Sequence, residues 1–471
     1  MHFGGAANRS LTSSGAHFES AAGAAVAVLF GTLCVLTDPN DTAQFLEHWG
    51  GAMTAEIAIL NRSAVALAAD SVVTLVNPRG RKTYDSAEKI FELSRFQPLA
   101  LMIYNNAQFM NAPLDILARR FRETLTSNQI ARVEQLWDLF SAFLLKYVTD
   151  PVDEYEHFHA LLAKELEKLQ AMWINRLAEH IDLGGGGQPK QPPAETGEAF
   201  IVRKIEERRV EAEGQPLDTF LSDITLEHFV ATYRQQVEFI TRKSLAGIEL
   251  TDAILDALTS MAFAIVKSRH RTQSHTGYVF AGFGYEELFP TLHAVECDGI
   301  YFRRFRILKT DFVDIDRRGQ TAKVMMFAQK DMPERFIFGI DAELESGIEK
   351  LADTVVAEIV DKIPDITDEQ SAKLKSAASG DFRQGLTSLK GRSEQSLMAI
   401  VDHLSKQELA DVAHSLIELT SRKRRYSTEV ESVGGPVDVA VLTSNEGFVW
   451  VKRKHYFDAA LNPRYFAKVQ R

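Results

Sequence analysis

The most legible pattern in the chain runs from Met53 to Leu93: it reads MTAEIAILNRSAVALAADS from Met53 to Ser71 and, after a loop, SAEKIFEL from Ser86 to Leu93. Apolar residues alternate from Glu56 to Leu60, Asn61-Arg62 supply a turn, and Ala64 to Ala69 form an apolar run of small residues, so the spacing predicts a β-hairpin. A hairpin returns the chain to its starting end, which sets Asp70 beside Thr54 although it lies sixteen positions further on. Lys89 follows nineteen positions later, at the opening of the strand-like segment KIFEL.

Thr54 follows a methionine. Removal of everything through Met53 leaves a threonine that carries its hydroxyl and a free α-amine on one residue, a nucleophile with its own base. An α-amine titrates near ~7.7–8.0, so much of it is neutral at cellular pH and able to take the hydroxyl proton, directly or through a water. A lysine ammonium beside it stabilises a developing alkoxide and lowers the amine pKa, since like charges disfavour each other. An aspartate beside that lysine keeps it charged and placed.

This stretch resembles the start of a proteasome β-subunit, and of the related peptidase of the bacterial two-component ATP-dependent protease. In that family the mature chain begins with Thr, a strand pair ends in a motif like LAADS with the Asp sixteen residues after the Thr, and a Lys precedes an apolar strand. Thr54, Asp70 and Lys89 match those positions, with a few extra residues between Val76 and Ala87. A family glycine donates a backbone N–H to the oxyanion; its match is Asn105, or Tyr104 with a shift of one. A backbone donor does not require glycine, and Asn tolerates unusual φ better than most residues.

The resemblance returns at GYVFAGFGYEELFPTLHAVEC (Gly277–Cys297), where Phe283 stands between Gly282 and Gly284 in place of a family Ser. It returns again from Leu404 to Val451, as the last helix, a loop ending in Ser-Val-Gly-Gly and a closing strand pair with an Asp-Val-Ala-Val signature. Ser405 with Glu408 fits a capping box, and Arg422, Lys423, Arg424 and Arg425 suit a helix C-terminus, which accounts for them without nucleic acid. A family Asp and Ser that hold the amine and lysine fall on Val430 and Val433, with Glu429, Glu431 and Ser432 adjacent.

Between these matches, residues 129–270 read as helices at Ile130–Val148, Asp153–Ile181, Leu217–Leu245 and Leu250–Ser268, with a flexible loop at Gly184–Gly187 and QPKQPPAET. They form a helical insertion: an added subdomain, a cap over the site or a docking surface. Further helices are expected at Ala342–Ile363 and Glu394–Leu404. Residues 54–128 and 271–471 are the expected core. Residues 1–53 are rich in Ala, Gly and Ser, with an apolar run from Ala21 to Leu36 that is short for a membrane span. They read as a signal peptide, a propeptide removed at Thr54, or a misassigned start; the last, with Met53 as initiator, is the preferred expectation.

With 45% apolar and 25% charged residues the composition is that of an ordinary globular chain, and a formal charge of −11 argues against nucleic acid as a partner. Cys34 and Cys297 are its two cysteines, which provide neither a disulfide framework nor a Cys-based zinc site. His157 and His159 lie two apart, off a common helix face, and there is no HExxH pair. No cofactor or metal is expected.

The resemblance implies an α+β fold, a four-layer αββα sandwich with two antiparallel sheets face to face and helices outside. It implies a cytoplasmic threonine peptidase without membrane attachment, acting on peptide or protein through an acyl-enzyme. The expected partners are copies of itself in a homo-oligomer and an unspecified ATPase. Thr54 would attack, its amine would act as base, Asp70 and Lys89 would tune it, and the Asn105 region would bind the oxyanion. The alternatives are a non-catalytic assembly or binding module and an amidase of small substrates.

Overall fold

The hairpin forms where the alternation places it. The computed structural model describes residues 54–77, 80–84, 87–109, 112–125, 130–147, 151–180, 195–217, 219–245, 247–272, 275–426, 434–455 and 457–464. In it β1 (Ala55–Asn61) pairs antiparallel with β2 (Val65–Ala69). Asn61 shapes the tip: its Oδ1 accepts the N–H groups of Ser63 and Ala64 at 2.9 and 3.1 Å, the local bonding for which Asn suits turns. Its Nδ2 donates to the carbonyls of Val401 and Leu404 at 3.0 and 2.9 Å, tying the tip to a helix end.

The chain continues through β3 (Val73–Asn77), β4 (Gly80–Tyr84), β5 (Ile90–Glu92), β6 (Leu99–Asn105) and the short pair β7 (Gln108–Phe109) and β8 (Ala112–Pro113). Among the described residues the helices α1 (Leu114–Thr124), α2 (Gln135–Leu144), α3 (Pro151–His180), α4 (Gly197–Glu213), α5 (Leu226–Ser244) and α6 (Asp252–Val266) follow. Next come β9 (Thr276–Gly282), β10 (Thr291–Tyr301), β11 (Arg304–Asp314) and β12 (Ala322–Ala328). Then come α7 (Asp331–Phe338), α8 (Ala342–Val360), α9 (Asp368–Val401), α10 (Lys406–Arg425), β13 (Asp438–Thr443), β14 (Gly447–Lys452) and a short 3-10 turn at Ala459–Leu461.

Two five-stranded antiparallel sheets result, in the orders β12-β1-β2-β13-β14 and β11-β10-β9-β6-β5. The period-2 alternation gives each sheet two apolar faces. On β1, Ala55, Ile57 and Ile59 pack with Leu409, Ala413 and Leu416 of α10. Ala58 and Leu60, pointing the other way, share a cluster with Ala100, Met102, Val279 and Ala294 of the second sheet. The far face of that sheet, with Leu101, Tyr278 and Phe280, packs against α1 and α2. The architecture is therefore mixed α+β, with two antiparallel sheets and helices.

The described residues separate into two compact units, Phe158–His270 and the remainder. The first unit is helical, and α4, α5 and α6 each begin at a threonine, Thr196, Thr225 and Thr251, whose side chain accepts the N–H three residues on. Inside it, the carboxylate of buried Glu165 meets Arg208 at 2.6 Å and His270 at 3.1 Å. Helix α2 lies in the stretch expected as an insertion, yet Leu136, Trp137 and Phe140 pack with the strand residues Tyr278 and Phe280.

Helix α9 extends far beyond the helix expected at Glu394–Leu404. Ser and Gly recur along it, with Gly380, Gly385 and Gly391, and interrupt the apolar periodicity, but its start carries a full capping box between Thr367 and Gln370. The capping box expected at Ser405 and Glu408 is present at the start of α10. Among the described residues, no helix is long and apolar enough to cross a membrane.

Candidate active site

Strand alternation puts Thr54, immediately before β1, on the same side as Glu56. The Thr54 hydroxyl donates to Glu56 Oε2 at 3.0 Å, and its oxygen accepts the backbone N–H of Asn105 at 3.3 Å. The Thr54 carbonyl accepts the N–H of Gln329 at 2.9 Å, which continues the β1–β12 ladder past the strand end and fixes the residue's backbone.

Asp70 arrives at the end of β2, as the hairpin requires. Its N–H donates to Ala55 O at 3.1 Å, and its Oδ1 accepts the N–H of Ala55 at 3.2 Å and the Lys89 ammonium at 2.5 Å. Asp70 Oδ2 accepts the N–H of Gly434 at 3.0 Å, so the glycine loop before β13 contributes a backbone donor. Ser71 Oγ donates to Pro436 O at 2.5 Å on the same loop. Lys89 is positioned by its carbonyl, which accepts the N–H of Ile103 at 2.9 Å, and its Nζ also lies 3.1 Å from Glu56 Oε1.

Thr54, Glu56, Asp70 and Lys89 are all buried, so one ammonium faces two carboxylates out of water. Burial opposes the Lys89 charge, but Asp70 and Glu56 outweigh it and raise the lysine pKa above its ordinary value. Glu56 is pushed up to about 7, because its burial and the neighbouring Asp70 charge outweigh the attraction of Lys89. A carboxyl that titrates near neutrality, bonded to a hydroxyl, is equipped to exchange a proton with it.

Asn105 ends β6 with φ +66°, the left-handed region that Asn adopts more readily than most residues. Tyr104 sits within the ladder opposite Gly277, so of the two candidates it is Asn105 whose N–H reaches Thr54. The Tyr104 ring lies over Gly277, where a Cβ would stand 1.9 Å from ring atoms. The Asn105 amide contacts His275, whose Nε2 lies 2.9 Å from Glu296 Oε1, and Arg271 reaches the same oxygen at 2.8 Å.

Phe283 is buried and donates its N–H to Pro98 O at 3.0 Å; it offers no hydroxyl at the place of the family Ser. Gly282 beside it has φ +143°, and a Cβ there would lie 1.9 Å from Pro98 O, so the close approach requires glycine. Val430 and Val433, with Glu429, Glu431 and Ser432, lie outside the described residues, as do Met53 and the segment before it.

The structure thus brings Thr54, Asp70, Lys89 and Asn105 together and adds Glu56, which the sequence reading did not single out. A signal was present: Glu56 is the one charged residue in the otherwise uncharged strand AEIAILN, two positions from Thr54 and so on its face. A charge on a strand buried along its whole length needs a partner.

No family model matches the chain, and no curated protein matches it. Among solved structures it is similar to the Gly-1 mutant of Anbu from Hyphomicrobium sp. strain MC1, with 9% identity over 88% of this chain and 95% of that one. The TM-score is 0.20, too low for the likeness to establish a shared fold.

Proposed function

We propose that this chain is a threonine-type N-terminal-nucleophile hydrolase that cleaves peptide or other amide bonds through an acyl-enzyme on Thr54. Its two sheets would form the inner layers of a four-layer αββα sandwich of the proteasome β-subunit kind. The observation that carries the reading is the Thr54 hydroxyl, held between the Asn105 N–H and the carboxylate of Glu56, with the ammonium of Lys89 bridging Glu56 and Asp70. An N–H already directed at the hydroxyl oxygen lies near the place where a tetrahedral oxyanion would form, and the ammonium stabilises negative charge in the same enclosed site. Cleavage before Thr54 would free its α-amine beside the hydroxyl.

The test is labelling by a threonine-directed electrophile, an epoxyketone or a β-lactone, read by intact mass and peptide mapping. The expected product begins at Thr54 and carries the label there, and Thr54→Ala remains folded, unlabelled and inactive. A folded wild-type protein that starts at Thr54 and never labels or turns over would overturn the reading. One observation favours a second reading, a non-catalytic binding module: Phe283 stands where the family supplies a supporting hydroxyl.

A further inference from the structure

Glu56 is a fully buried glutamate at the start of a strand that carries no other charge, and no role is assigned to it by the resemblance. We infer that Glu56 is the proton acceptor for the Thr54 hydroxyl, so that activation of the nucleophile runs through this carboxylate and does not depend on the α-amine alone. The inference rests on Thr54 being the nucleophile.

The geometry sets its side chain between nucleophile and ammonium. Positions i and i+2 of a strand share a face, and the Thr54 hydroxyl donates directly to Glu56 Oε2 at 3.0 Å. The second oxygen, Oε1, lies 3.1 Å from Lys89 Nζ, which balances the carboxylate charge before transfer. Lys89 is itself shared with Asp70, whose other oxygen is held by the Gly434 N–H. Asp70 therefore anchors the ammonium, and Glu56 is the carboxylate that touches the hydroxyl.

In the acylation step the Oγ1–H proton passes to Glu56 Oε2 as Oγ1 bonds to the substrate carbonyl carbon. The carbonyl π pair moves to oxygen, which accepts the Asn105 N–H. Collapse breaks the C–N bond, and the proton held on Glu56 goes to the leaving nitrogen, giving an amine and an ester on Thr54. In deacylation Glu56 takes a proton from water as hydroxide adds to the ester, then returns it to Oγ1. The position of the Glu56 pKa, pushed up to about 7, suits both directions of transfer near neutral pH.

The experiment is the rate of Thr54 acylation by a β-lactone as a function of pH, in wild type, Glu56→Gln and Glu56→Asp, with thermal melts of each. Wild type is expected to rise through an apparent pKa near 7. Glu56→Gln is expected to be slower by about 10²–10⁴-fold and to lose that rising limb. Glu56→Asp keeps a titrating group and should retain an altered limb at an intermediate rate, a result that a purely structural counter-ion of Lys89 would not give. A folded Glu56→Gln that acylates at the wild-type rate with an unchanged profile overturns the inference and leaves Thr54 as nucleophile with its amine as base. Wild type that is not acylated at Thr54 at all overturns both.

Discussion

The backbone N–H of Asn105, held at φ +66°, points at the hydroxyl oxygen of Thr54 from 3.3 Å, across 51 residues of sequence. Its direction depends on backbone conformation and not on the side chain. Asn105→Gly is therefore expected to keep turnover within a few fold. Asn105→Val, a β-branched residue forced to positive φ, is expected to cost about 1–3 kcal/mol of stability and to misdirect the donor. Steady-state rates and melts of the two variants check this, and equal behaviour of Gly and Val would refute it.

Replacing Lys89 with Met keeps the volume of the stem and removes the charge, leaving Asp70 and Glu56 buried without their shared cation. A broken buried pair typically costs about 3–5 kcal/mol, and loss of a transition-state donor about 10²–10³ in turnover. The stability loss should shrink as pH falls and a carboxyl takes up a proton. Lys89→Arg is not expected to rescue either property, because a planar fork cannot replace a compact ammonium between two carboxylates. Denaturation at several pH values distinguishes these outcomes.

Glu56 also makes the fold pH-dependent. Its folded pKa is raised from 4.5 to about 7, so between those values the folded state binds more protons than the unfolded one. The contribution is fully present below pH 4.5 and is lost as pH rises through about 7, at most about 3 kcal/mol in all. Lys89, raised from 10.5, contributes stability that is lost only in more alkaline solution and leaves this window flat. Urea midpoints of wild type should therefore fall from pH 5 to pH 8 more steeply than those of Glu56→Gln; parallel curves would count against the assignment.

A second buried ion pair lies away from the site. Arg306 Nη1 bonds Asp298 Oδ1 and Oδ2 at 2.6 and 2.7 Å, and Oδ2 also accepts the N–H of Thr272 at 3.0 Å, just before β9. Arg306→Ala is expected to destabilise by about 3–5 kcal/mol. Exchange protection of the Thr272 amide should fall with it, and a variant as stable as wild type would show the pair to be dispensable.

What the sequence disclosed follows from how local each signal is. The interval from Thr54 to Asp70 was readable because a short hairpin joins its own ends, and Lys89 because it opens an apolar strand. Glu56 is the less legible member because alternation predicts the strand without marking which of its residues meets the site; in the structure the same alternation sets it on the face of Thr54. The N-terminal reach of helix α9 is hard to read because Ser and Gly interrupt its apolar stripe, and the capping box at Thr367 is its one local marker. The approach of Gly434 to Asp70, 364 residues apart, has no local signature and is a product of the β2–β13 pairing.

The Asn61 turn has a consequence for how the chain tolerates change. It sets the register in which Glu56 faces Ala69 and Leu60 faces Val65, and it is bolted at its far side to the carbonyls of Val401 and Leu404. Deleting one residue from β1 between Glu56 and Asn61 would rotate everything upstream by half a pleat, sending Thr54 and Glu56 toward the helices and Ala55 toward the second sheet. A strand has two faces and no intermediate, so a one-residue change of register moves Thr54 and Glu56 from one side of the sheet to the other. Because Asn61 holds the tip in place, the number of residues between it and Thr54 decides which face Thr54 takes.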